Sequence, residues 1–304
     1  MGGDPPAPSP AWALSGQAPR QTRDRQASKA GKGNRTDKMA LYDLKSLLER
    51  LRKERPLVHN ITNYVVMNFT ANTLLAMGAS PVMAHAVAEV EEMVSLARAF
   101  VINIGTLSQH WIEAMLKGGK RANALDIPVI LDPVGSGATS FRTRTFQMMA
   151  RELKLAVVRG NASEVLSYGS EAVRTKGVEA IHSVEQAAEA ARETASRTGA
   201  VVAITGAVDV ITDGDRVIHC RNGHPLLGMV TGTGCAATTA IAAFAGITPD
   251  PLEAAAAGLA FFGLAGEVAA QKARAPGSYQ AALLDALYEI TPDQLQAGAK
   301  LERR

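Results

Sequence analysis

From Leu41 onward, stretches with an apolar residue at every third or fourth position alternate with short unbroken apolar runs. DLKSLLERLRKE places Leu44, Leu47, Leu48 and Leu51 on one face, which predicts an amphipathic helix. PLVHNIT reads as a short extended entry, and NYVVMNFTANTLLAMG as a helix closed by Gly78. SPVM predicts a brief strand, VAEVEEMVSLARA a helix, AFVINIG a buried strand and Gln109 to Leu125 a helix. PVILDPVG and LKLAVVRGN predict two further strands. Ser183 to Gln186 forms a capping box, and the helix it opens should run to Gly199. AVVAITG is an apolar strand, and VDVITDGDRVIHC reads as two strands around a turn at Asp213-Gly214. The glycine-rich TGTG leads into a helix through Ala245, and two Ala-rich helices follow. The terminal AGAKLERR shows no pattern and is expected to be a solvated end. Apolar strands separated by helices predict an α/β fold with a mostly parallel sheet, in one domain over residues 39–304.

Composition changes this picture mainly at the N-terminus. Residues 1–38 hold five Pro, five Gly and no Val, Ile or Phe, a composition that predicts disorder. Their seven Lys or Arg against three Asp exceed the whole net charge of +3, which leaves the body near neutral at −1. The sequence pI of about 8.9 is therefore a property of the tail and does not point to nucleic acid. The tail lacks an apolar stretch of secretory type, and two readings of it stay open, an arginine-bearing transit peptide or translation starting at Met39. Two cysteines, Cys220 and Cys235, exclude a disulfide framework and cannot alone close a four-ligand zinc site, which suits a cytoplasmic protein. Residues 222–249 carry no Asp, Glu, Lys or Arg, long enough to span a bilayer. Gly, Thr and Pro dominate the first half, however, so a buried turn and helix is expected and no membrane partner.

In open α/β sheets, ligands bind beyond the carboxyl ends of strands. Four strands here end in Asn103-Ile-Gly105, Asp132-Pro-Val-Gly135, Arg159-Gly-Asn161 and Thr205-Gly206. Turn chemistry accounts for any one of them, whereas four in one chain predict a shared site. Thr231-Gly-Thr-Gly-Cys235 is the strongest local signal, because Gly232 and Gly234 present bare N–H groups where a long helix starts. Such a helix start holds an anion; if that anion is a phosphoryl group in transit, Gly232, Thr233 and Gly234 would bind it, the alternative being a glycine turn before a buried helix. No GxxxxGK[ST] loop occurs, so a Walker A site is excluded. Gly232, Gly234 and Ala237 match the dinucleotide fingerprint loosely but lack the acid-ended second strand that it needs. Asp132 and Glu164 are the hard oxygen ligands that Mg²⁺ would use beside a nucleotide, with turn capping and a helix first turn as the structural alternatives.

HNITNYVVMNFTANTLLAMGASPVM, NIGTL, PVILDPVGSGATSFRT, RGNASE, AITGAVDVI, NGHPLL and TGTGC together resemble the hydroxyethylthiazole kinase family in wording and order, over roughly residues 45–285. The resemblance implies a ribokinase-like three-layer α/β/α fold and ATP-dependent phosphorylation of 5-(2-hydroxyethyl)-4-methylthiazole. It implies thiazole contacts at Met83 and Gly232, ATP contacts at Arg159 and Thr205, and Mg²⁺ held by Asp132 and Glu164, directly or through water. Cys235 stands where most ribokinase-like enzymes carry an aspartate base, and a cysteine there is typical of thiazole kinases. A homotrimer with sites between subunits is implied as well. His59 and Asn60 are candidates for the thiazole pocket or for structural bonds, and His224 for the nucleotide side or a plain loop. Arg142 and Arg144 read as loop charges on the surface, with phosphate contact as the alternative, and Met67, Met77, Met93 and Met115 as core. A kinase for another small alcohol, such as a hydroxymethylpyrimidine, and a non-catalytic nucleotide-binding module are the competing classes.

Overall fold

A computed structural model describes residues 41–169 and 183–304; the expected tail, residues 1–38, lies outside the described residues. Among these, nine strands form one sheet in the order β2-β1-β3-β4-β5-β6-β7-β8-β9. β1 (Leu57–Ile61), β2 (Ser80–Val82), β3 (Ala99–Asn103), β4 (Val129–Asp132), β5 (Val157–Asn161) and β6 (Val201–Thr205) are parallel. β7 (Asp209–Thr212), β8 (Val217–Cys220) and β9 (Leu301–Arg303) continue it antiparallel.

Strand periodicity divides the core in two. Ala99, Val101, Ile130, Val157, Val201 and Ala203 face one apolar cluster, while their neighbours Phe100, Ile102, Val129, Leu131, Val158 and Val202 face the other. The first layer is built by α1 (Leu44–Glu54), α2 (Met67–Met77), α8 (Thr233–Ala245), α9 (Pro251–Lys272) and α10 (Pro276–Glu289). The second is built by α3 (Val90–Leu96), α4 (Gln109–Ala124), α5 (Ser140–Glu152), α6 (Ala162–Leu166) and α7 (Val184–Thr198). The three-layer α/β/α architecture expected from the sequence is thus the fold. The four leucines of α1 are all buried, each worth roughly 1.5–3 kcal/mol of transfer free energy. The uncharged run becomes a 3₁₀ turn (Pro225–Met229) followed by α8, whose residues are nearly all buried. α9 is long and apolar enough to cross a membrane, but 78% of its apolar window is covered by the protein itself, so it is a core helix.

Three expectations are corrected. α2 starts at Met67 instead of Asn63, because the Tyr64 amide donates to Thr106 Oγ1 and the Asn63 carboxamide is bonded elsewhere. Arg142 and Arg144 are on α5, and Arg142 is no loop charge: its guanidinium donates to Val134 O (2.8 Å) and Gly105 O (2.7 Å). The solvated C-terminal end is instead a capped helix, α11 (Pro292–Gly298), followed by β9 on the sheet edge, with Cys220 opposite Leu301.

Candidate active site

The parallel register brings the ends of β3, β4, β5 and β6 into one row, with Asn103 beside Asp132 and Asn161 beside Thr205. α8 points its N-terminus at this row. Gly232 is its N-cap at φ +84°, with no side-chain cap, and a Cβ there would meet Val66 Cγ1 at 2.6 Å. The amides of Thr233, Gly234 and Cys235 make no hydrogen bond among the described residues; the first helical bond to Gly232 O comes from Ala236. Three donors aimed along a helix axis, in the absence of a cap, are a ready anion cradle. Thr233 is anchored by its hydroxyl, which donates to Leu227 O (2.7 Å) and fixes the 3₁₀ turn against the helix start.

Arg159 lies against this cradle, its Nη1 only 2.8 Å from where a Cβ on Gly234 would stand. Its Nη2 donates to Thr205 Oγ1 (2.6 Å), and its Nε has no partner. These groups border a cavity of about 590 Å³ lined also by Gly206, Asp209, His224 and Phe262, a volume suited to a small organic ligand. His224 belongs to this cavity, and its Nδ1 accepts from the Leu226 amide (3.2 Å). Asp209 went unnoticed in the sequence: its Oδ1 accepts from the Gly206 amide (3.0 Å), and burial raises its pKa to about 6 against the pull of that bond and of Arg159. Its signal was the polar start of an apolar strand.

On the other side of Gly234 lies a buried polar cluster. Asp132 Oδ2 accepts from Asn103 Nδ2 (2.9 Å) and Thr238 Oγ1 (2.8 Å). Burial lifts the Asp132 pKa to about 6, with Arg159 pulling it down, Glu164 raising it, and the two hydrogen bonds lowering it. Asn63 Nδ2 donates to Asn103 Oδ1 (2.9 Å) and touches Cys235 Sγ (3.5 Å). The Cys235 thiol is pushed up to about 12, first by burial and then by Asp132, which leaves it neutral at physiological pH. Asn60 is 1% exposed and receives the Thr239 hydroxyl (3.1 Å), and His59 Nε2 is bonded to Ala84 O (2.6 Å), so each makes a buried hydrogen bond behind the cluster. Met83 stands one residue past the edge strand β2, half-buried and outside the hydrogen-bonded cluster. Cys220 is fully buried with its pKa pushed up to about 12, an inert thiol.

The residues fit a magnesium ion unequally. Asp132 Oδ1 is buried without any hydrogen-bond partner, the condition of a carboxylate oxygen that a cation would satisfy. Glu164 commits Oε1 to the Gly135 amide and Oε2 to the Asn161 amide (2.8 Å each), inside a capping box with Asn161. It therefore suits contact through water better than direct ligation. Among the described residues no cluster of three His, Cys, Asp or Glu exists, so a cation here would complete its shell with phosphate and water.

This mostly parallel sheet between two helical layers, with an uncapped helix start aimed at its strand ends, is a ribokinase-like fold. The same fold occurs in a ribokinase-like superfamily protein from Enterococcus faecalis (TM-score 0.58, 15% identity, 82% of this chain and 95% of that one). More narrowly, the chain belongs to the hydroxyethylthiazole kinase family, whose pattern matches residues 48–293. It is 55% identical over 255 residues to hydroxyethylthiazole kinase of Desulfotalea psychrophila (84% of this chain, 93% of that one). With that of Roseiflexus sp. RS-1 it shares 54% over 255 residues (84% and 94%). The solved hydroxyethylthiazole kinase protein of Pyrococcus horikoshii OT3 superposes at TM-score 0.79 and 45% identity, covering 86% of this chain and 98% of that one.

Proposed function

We infer that residues 39–304 transfer the γ-phosphoryl group of ATP to the primary hydroxyl of 5-(2-hydroxyethyl)-4-methylthiazole, the salvage step of thiamine biosynthesis. The observation that carries this reading is the uncapped α8 start, whose three free amides lie between the Arg159 cavity and the Cys235 cluster. Arg159 and Thr205 would hold the nucleotide, while the amides of Thr233, Gly234 and Cys235 receive the phosphoryl oxygens. Preorganised donors of this kind are each worth roughly 3 kcal/mol in a transition state. Mg²⁺, when bound through Asp132 with Glu164 in support, supplies charge neutralisation on the phosphates. A neutral Cys235 cannot act as a base in the ground state, yet a loose transition state asks for little deprotonation of the alcohol until late. Its part is then to position the acceptor hydroxyl together with Gly232, and Met83 would close the thiazole side.

The finer features belong to the same proposal: a cytoplasmic enzyme, working as a homotrimer with sites between subunits. Tyr64 and Val65, 64% and 65% exposed beside Asn63, support a covered rim at the acceptor side. ADP release from the purified protein should depend on both Mg²⁺ and the thiazole alcohol. Activity with a hydroxymethylpyrimidine and none with the thiazole would overturn the assignment.

A further inference from the structure

Asn103 ends β3 at 1% exposure, and its carboxamide makes three hydrogen bonds to neighbouring groups. The orientation of the carboxamide follows from its neighbours: the Gly105 N–H (3.0 Å) can only donate, so the group facing it is Oδ1. Nδ2 consequently faces the acid, donating to Asp132 Oδ2 at 2.9 Å. Oδ1 also accepts from Asn63 Nδ2 at 2.9 Å, and Asn63 in turn reaches Cys235 Sγ at 3.5 Å. On the far side, Thr238 Oγ1 holds the same Asp132 oxygen at 2.8 Å and leans on Gly234 O at 3.3 Å. The chain of contacts therefore runs without a gap from the thiol to the acid and back to the phosphate-cradling turn.

Two consequences follow from this closure. Both partners of Asp132 sit on Oδ2, which leaves Oδ1 as its one unbonded oxygen. Both donor contacts of the Asn63 carboxamide are spent on Asn103 and Cys235, and its oxygen accepts no hydrogen bond among the described residues. Asn63 itself is 4% exposed, and its Nδ2 lies against the thiol. One carboxamide thus decides which Asp132 oxygen is free for a cation and where Asn63 stands against Cys235.

We propose that Asn103 is a positioning residue that couples the acceptor-alcohol half of the site to the metal-phosphate half, acting through Asn63 on one side and Asp132 on the other. The proposal rests on the kinase reading above and assigns Asn103 a part in aligning the alcohol with the phosphoryl group. Loss of such an outer partner costs about 10- to 100-fold in metal affinity.

The test compares Asn103→Ala with Asn63→Ala by two readouts that need no turnover. The first is Mn²⁺ affinity in the presence of ADP, by electron paramagnetic resonance; the second is affinity for the thiazole alcohol, by calorimetry. Asn103→Ala should weaken both by about 10-fold or more, whereas Asn63→Ala should weaken only the alcohol. A merely structural Asn103 would lower the melting temperature and leave both affinities of the folded protein unmoved, which would contradict the proposal, as would a change in only one of them. Should Asn103→Ala not fold, the double cycle of Asn63→Ala with Thr238→Val serves instead. Asn63 bonds Asn103, and Thr238 bonds the Asp132 oxygen that Asn103 also holds, so their effects on kcat should be non-additive by about threefold or more. Strict additivity would contradict the proposal. Wild-type protein that binds Mn²⁺ with ADP but not the thiazole would sink the substrate reading, while the Mn²⁺ arm would still test the hold of Asn103 on Asp132.

Discussion

At the scale of single residues, the site runs on buried polar groups whose environment has been set by neighbours that no short motif contains. Asp132, Arg159 and Thr205 could be picked out because each closes or nearly closes an apolar strand, where open sheets keep their ligands. Asn63 and Thr238 could not, since a threonine within an apolar helix or an asparagine in a turn carries no local mark of what it bonds, and Asp209 showed only as the polar start of an apolar strand. Cys235 shows the limit from the other direction. Its position leaves a base, a positioning group and an inert buried thiol all open, and the structure shows the burial that keeps it protonated. Asp209 offers a direct check of such burial. Its pKa is raised from 3.8 to about 6, so between these values the folded protein holds a proton that the unfolded chain has released. Stability should accordingly fall as pH rises through that window and level off above it. Asp209→Asn removes the effect and leaves that of Asp132 in place. In urea unfolding, the variant should gain roughly 1–3 kcal/mol over the wild type between pH 4 and pH 7. A difference that does not change with pH would show that Asp209 is not desolvated.

Among the elements, those with a clean period were legible: the leucine face of α1, the capping box of α7, the apolar strands β3 to β6. α5 was hidden because its buried face includes Thr143 and Thr145, whose hydroxyls donate back to Thr139 O and Phe141 O and so pass as core. β9 was hidden for a different reason. A three-residue edge strand with Glu302 and Arg303 has no pattern of its own, and its pairing with β8 is remote in the chain. α8 is the element on which the chemistry depends. Gly232→Val would force a β-branched residue to φ +84° and drive its Cβ towards Val66, a strain of about 1–3 kcal/mol. Displacing the amides that follow should lower kcat by at least about 100-fold, measured as ADP release. Unchanged kinetics in the folded variant would mean that the turn serves the fold alone.

For the whole molecule, the alternation of strand and helix was enough to predict the parallel sheet and its ligand edge, because buried parallel strands must be apolar on both faces. The β7–β8 hairpin was legible around Asp213-Gly214, whereas the pairing of β8 with β9 and the division of labour between the two helical layers emerge only with the tertiary structure. One layer brings α8 to the site, and the other brings α5, whose Arg142 ties the loops after β3 and β4 together. Assembly is testable at this scale too. Sedimentation equilibrium should give three chains per particle, and Tyr64→Glu, placing a charge on the exposed rim, should dissociate it and weaken thiazole binding. A wild-type monomer with full activity would remove the trimer from the account.

The central claim is that main-chain amides at the mouth of α8 grip the phosphoryl group on its way to the alcohol. A crystal structure with a non-hydrolysable ATP analogue, Mg²⁺ and the thiazole alcohol measures this most directly. The account predicts the terminal phosphate within hydrogen-bond distance of the Gly234 and Cys235 amides, the base in the Arg159 cavity and the hydroxyl beside Cys235. A terminal phosphate lodged away from Gly234, with those amides turned to water, would contradict it.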